Sequence, residues 1–147
     1  MPMRQHLSTL TAALLVFGFG SNAQAQTEIQ WWHSMTGGLN DWVTDLANGF
    51  NASQKDYKVI PTYKGTYDET MPAAVAAFRA GNAPHILQVY EVGTATMMAA
   101  KSAIVPVGKV LADAGYKFNP QAYIPAVVGY YTAPNGQMLS FPLNSST

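Results

Sequence analysis

The 147-residue chain contains no cysteine. Disulfides, thiolate metal sites and thiol redox chemistry are therefore excluded, and stability has to come from packing. Charge is scarce too: 8 Lys/Arg face 8 Asp/Glu, together only 11% of the residues. Neither sign dominates and no basic stripe runs through the chain, which argues against nucleic acid or an anionic membrane as partner. Histidine is limited to His6, His33 and His85, a poor basis for a metal centre, and no cofactor is implied. Neither G-x-S-x-G nor H-E-x-x-H occurs. His33 and Ser34 are neighbours in sequence, but neighbours on a strand point to opposite faces, so the pair does not suit a base and its nucleophile.

No apolar run reaches the roughly 20 residues of a membrane-spanning helix. The run LSTLTAALLVFGFG follows a short segment with Arg4 and His6 and precedes SNAQA, a small-x-small pattern. This is the layout of a secretory signal peptide over residues 1–25, with cleavage expected between Ala25 and Gln26. A membrane anchor is the alternative, and the short run and its flank disfavour it. No cysteine follows to carry a lipid, so no direct membrane attachment is expected after cleavage. Taking 25 residues from 147 leaves 122, with seven Lys/Arg against eight Asp/Glu, enough for one domain with a core.

What the chain does have is alternation. Glu28 to His33 suits a short strand. Leu39, Trp42, Val43, Leu46 and Phe50 then mark one face of a helix. Tyr57 to Tyr63 is a second strand, whose Pro61 points to an end or an edge. Thr66 and Glu69 have capping-box spacing before a helix that carries Met71, Ala74, Val75 and Phe78 inward and ends at Gly81; Pro72 implies a kinked first turn or a later start. His85 to Tyr90 is a third strand, apolar enough to be covered on both faces. Helices are expected over 94–103 and near 109–114, a turn at Asn119-Pro120, and a strand over 127–132 that returns through Asn135-Gly136 along 138–143. Strands and helices in alternation predict an α/β layer with parallel strands.

In such sheets ligands bind beyond the carboxyl ends of the strands. Glu91 stands at one such end and Tyr67 just past another. A carboxylate accepts from ligand hydroxyls, and Tyr67 adds a hydroxyl on a rigid ring. Gly93 would allow close backbone approach, and amides at Thr94 to Thr96 would face an anion. Hydroxyls and an anion suit a sugar, a polyol or its phosphate; a solvated edge carboxylate is the plainer alternative for Glu91. Eight tyrosines and three tryptophans serve a core or a recognition surface. The glycosylation sequons at Asn51 and Asn144 match a pattern common by chance. Asp68-Glu69 is better explained by a helix N-terminus than as paired acids.

The segments WWHSMTG, VIPTYKGTYDET, FRAGNAPHILQVYEVGTATMMAA and LNSST together resemble the amino-terminal part of the glycerol-phosphate-binding receptors of ABC importers. These belong to the extracellular solute-binding proteins, the class that includes maltose receptors. Leu143 departs from the aromatic expected there. The resemblance implies a two-lobed type II periplasmic-binding-protein fold, of which residues 26–147 would be the first lobe, with a mixed, mainly parallel sheet flanked by helices. The second lobe is missing, and the chain is expected to be a fragment of a longer receptor. Also implied are a periplasmic location, no covalent chemistry, sn-glycerol 3-phosphate or a glycerophosphodiester as ligand, and permease subunits with a cytoplasmic ATPase as partners. Tyr67, Glu91 and Ser146 match positions that hold the ligand in the family; Ser146 rests on the resemblance alone. The alternatives are a receptor for a neutral sugar or oligosaccharide and a small secreted α/β hydrolase.

Overall fold

The computed structural model describes residues 25–100 and 102–144. The expected leader, except for Ala25, and Ser146 lie outside the described residues. Three parallel strands form the sheet in the order β2-β1-β3, with β1 Thr27–His33 in the centre, β2 Tyr57–Tyr63 on one side and β3 Ile86–Leu87 on the other. β1 and β2 pair along their whole lengths, from Thr27 with Tyr57 to His33 with Tyr63. Pro61, opposite Trp31, is accommodated because β2 is the edge strand of the described sheet. The class is α/β, as expected.

The third strand is shorter than its sequence suggested. Only Ile86 and Leu87 pair formally, with Trp31 and Trp32. The ladder continues by one bond on each side, through His85 N to Gln30 O at 3.0 Å and Gln88 N to Trp32 O at 2.9 Å. His85 Nδ1 also accepts the Gln30 amide at 3.0 Å, which gives that histidine a structural role. The strand is not covered on both faces, since Ile86 is 45% exposed.

Helix α1, Gly38–Ser53, packs on β2 through Val43 and Ala47, one helical turn apart. The remaining residues of the predicted apolar face, Leu39, Trp42, Leu46 and Phe50, are exposed, because only the central row meets the sheet. Two polar side chains fasten the end of α1 to β2. Asn51 donates to Val59 O at 2.9 Å and accepts Val59 N at 2.7 Å. Gln54 accepts the Asp56 and Tyr57 amides, both at 2.8 Å, and donates to Tyr57 O. Asn51 is thus a structural residue.

Helix α2, Tyr67–Arg79, starts where the capping box placed it. The Glu69 carboxylate returns to Thr66 N at 2.7 Å and to its hydroxyl at 3.1 Å. Pro72 lies inside the helix, which starts at Tyr67 and so does not start late. At the far end Gly81, at φ +75°, turns the chain. Asn82 N reaches Ala77 O, and Gly81 N reaches Phe78 O, a Schellman closure. Of the expected inward face, Ala74 is buried, while Phe78 is 45% exposed.

Helix α3 spans Glu91–Ala99 rather than 94–103, and α4 spans Val107–Asp113. A 3-10 turn at Pro120–Ala122 is capped by Asn119, whose side chain accepts the Gln121 amide. The strand expected over 127–132 is instead helix α5, Pro125–Tyr130. Pro125 occupies its first position with φ set for a helix, and that local start outweighs the β preference of Val127 and Val128. The Asn135-Gly136 turn forms, with Gly136 at φ +81°, but its strands reduce to one antiparallel bridge between Thr132 and Met138. The returning segment bonds both back to its partner, through Leu139 N to Tyr131 O at 2.9 Å, and to α4, where Met138 O accepts Gly108 N at 2.9 Å and Leu139 O accepts Val107 N.

Candidate functional site at the strand ends

The three strands deliver their carboxyl ends to one rim, at His33, Tyr63 and Leu87. The side chains just beyond are polar, and several are buried. His33 is 1% exposed, Thr70 1% and Gln88 8%. Burial of such groups is tolerable only if they find hydrogen-bond partners, and here each has at least one. Ser34 N donates to Gln88 Oε1 at 3.0 Å. Ser34 Oγ and Thr70 Oγ1 bond at 2.9 Å, and Thr70 continues to Gly65 O. His33 Nδ1 accepts the Met35 amide at 3.3 Å, which leaves the ring proton on Nε2. His33 and Ser34 thus bond to different partners rather than to each other. Burial lowers the His33 pKa and favours the neutral ring.

Tyr67 and Glu91 occupy equivalent places, each the first residue of a helix that follows a strand. Tyr67 is half-buried, stacks on Tyr90 with ring centroids 5.2 Å apart, and takes a bond from Gln88 Nε2 at 3.3 Å. Tyr90 in turn donates to Asp68 at 3.2 Å. Burial raises the Tyr67 pKa, and the charge of Glu91 adds to the rise. Glu91 also contributes to the upward shifts of Tyr90, which come first from its bond to Asp68, and of Tyr131, which come first from burial. Three phenols are therefore held protonated around one carboxylate. Tyr130 ties α5 into the group by donating to Glu91 O at 2.8 Å.

The structure corrects three expectations here. Glu91 is exposed and caps no buried strand; it sits in the first turn of α3, where the helix dipole favours an anion. The amides from Thr94 onward do not face an anion: Thr94 N already bonds Tyr90 O at 3.0 Å, and the Thr94 hydroxyl bonds the same carbonyl. Gly93 serves packing rather than ligand approach. A Cβ there would lie 2.8 Å from Met71 Sδ and 3.0 Å from both Val89 and Tyr90 side chains.

Two shallow hollows flank the rim. One of about 420 Å³ is lined by Met35, Gly37, Asn40, Asp41 and Tyr63. The other, of about 430 Å³, lies along α2 between Tyr67, Met71, Arg79 and Tyr90. Among the described residues, no group of three or more His, Asp or Glu side chains is placed to hold a metal, and no helix is long and apolar enough to cross a membrane. Sequence reasoning missed Gln88 and Tyr90. The signal for Gln88 was present, since it is the polar residue in the middle of HILQVY.

No family model matches the chain. Curated relatives do. The chain is 51% identical over 133 residues to the sn-glycerol-3-phosphate-binding periplasmic protein UgpB of Rhizobium meliloti, an alignment covering 90% of this chain and 31% of that protein. The proteins of the same name from Brucella abortus and Yersinia enterocolitica are 52% and 54% identical over 140 residues, 95% of this chain and 32% of each relative. The chain thus spans about a third of the length of the curated relatives it matches.

Proposed function

We propose, from the premise that this chain is a homologue of the sn-glycerol-3-phosphate-binding periplasmic proteins, that it forms the first lobe of a periplasmic receptor for sn-glycerol 3-phosphate or a glycerophosphodiester. The observation that carries the reading is identity of 51–54% over 90–95% of the chain. The receptor would hand its ligand to the permease subunits of an ABC importer, with no covalent chemistry. A leader over residues 1–25, removed after Ala25, and a lobe over 26–147 are part of the proposal, as is ligand contact by Tyr67, Glu91 and Ser146.

The chemistry of the rim supports this. A glycerol phosphate presents hydroxyl donors at one end and anionic acceptors at the other. The Glu91 carboxylate is exposed and accepts only, so it suits the glycerol hydroxyls. The Tyr67 phenol, with its pKa raised, keeps its proton and can donate.

The test is a calorimetric titration of the native-length protein with sn-glycerol 3-phosphate, with maltose in parallel. Saturable binding of the phosphate and none of maltose is expected. Binding of maltose alone would replace this reading with that of a neutral-sugar receptor. Turnover of a phosphate or glycosyl ester would replace it with a hydrolase.

A further inference from the structure

Gln88 is nearly buried and belongs to none of the proposed ligand contacts, yet it joins the ends of β1 and β3 to the start of α2. Its carboxamide has one possible orientation. The atom 3.0 Å from Ser34 N must be oxygen, because a backbone amide only donates. The other atom is then the nitrogen, and its two protons face Tyr67 Oη at 3.3 Å and Asn144 Oδ1 at 3.4 Å. A phenol that has accepted a bond keeps its own proton for a different partner. An asparagine whose oxygen faces inward turns its amide protons away. The direction of the whole chain is thus fixed from the Ser34 backbone outward.

We propose that Gln88 is a positioning residue for ligand binding, setting the Tyr67 hydroxyl and the Asn144 amide as outward donors toward a ligand oxygen. This rests on the receptor reading above and adds to it the residue that gives the rim its polarity. The Tyr67–Tyr90 stack holds the phenol in the plane where Gln88 meets it. Burial and the Glu91 charge both keep the phenol protonated, so the donor persists across physiological pH.

The test uses the native-length protein, titrated with sn-glycerol 3-phosphate between pH 5 and pH 8, each affinity expressed relative to wild type at the same pH. The ratio removes the ligand's own titration. An ionised Gln88→Glu side chain accepts where Gln88 donates, so it draws the Tyr67 proton inward. Its relative affinity should fall about tenfold or more at pH 8 and recover as the buried carboxyl protonates toward pH 5. Gln88→Met should lose several-fold at every pH, and that loss should shrink in a Tyr67→Phe background to the share that acts through Asn144. A pH-independent ratio for Gln88→Glu, or a Gln88→Met loss undiminished in Tyr67→Phe, would overturn the proposal while leaving the receptor reading intact. Failure of the wild type to bind would overturn both. Should Gln88→Met not fold, the pH dependence of Gln88→Glu decides alone.

Discussion

The rim at the strand ends and the outer face of α1 invert the usual distribution of polarity. At the rim, His33, Thr70 and Gln88 are buried and hydrogen-bonded. Along α1, Leu39, Trp42, Leu46 and Phe50 are between 38% and 50% exposed. Among the described residues the buried apolar set is small by contrast: Met35, Val43, Ala47, Ala74 and Met138. The positional order of this chain is therefore concentrated where polar groups interlock rather than where apolar ones gather. Interlocked polar groups specify geometry, since each bond has a direction. A greasy face specifies only area. That difference suits the proposed ligand-binding role of the rim.

The contrast can be tested in order of effect. Val43→Ala removes the most buried apolar side chain on α1 and should cost about 2–3 kcal/mol in a denaturant titration; a loss below about 1 kcal/mol would mean that even the row facing the sheet is loosely packed. At the rim, Thr70→Val keeps the shape but removes the hydroxyl that links Ser34 to Gly65. About 1–2 kcal/mol of stability should go with it, and a neutral result would show that the network carries geometry without stability. Leu46→Gln, on the exposed face, should change stability by no more than about 0.5 kcal/mol. A loss above about 2 kcal/mol there would show that the face is covered in solution.

Acid should probe the rim selectively. With the folded pKa of His33 below 6.5, the unfolded chain binds its proton first as pH falls. Stability therefore declines as pH drops through about 6.5 and levels off below the lowered folded value. Glu69 adds a second loss at more acid pH: its folded pKa is lowered by its bonds to Thr66, so its contribution is present above 4.5 and disappears as pH falls through the folded value. Thermal melts of His33→Gln and wild type, compared between pH 7.5 and pH 5.5, should converge as the pH falls. Parallel curves would remove His33 from the account.

The first two β–α steps were readable because their signals are local and mutually reinforcing: apolar spacing on α1, the Thr66–Glu69 capping box on α2, and Gly81 at the end of α2. Tyr67 opens a helix just past β2, as expected, whereas Glu91 was expected at a strand end and instead opens α3. What was not readable depended on competition between signals. QVYE continues an apolar strand by composition, but Tyr90 takes an extended conformation at the cap of α3, and the strand ends at Leu87. Val127 and Val128 favour a strand, but Pro125 starts a helix before them. Gln88 was overlooked because its role is defined by Ser34, Tyr67 and Asn144, three residues distant from it in sequence.

The central claim is that Tyr67 and Glu91, brought together by the strand ends, hold the ligand. Its most direct test is the affinity of the native-length Glu91→Gln protein for sn-glycerol 3-phosphate, by calorimetry, alongside its melting temperature. Because Glu91 is exposed and caps no buried group, melting should be unchanged while affinity falls by about tenfold or more. Unchanged affinity in a protein that binds as wild type would contradict the claim and return Glu91 to the role of a solvated helix-end carboxylate.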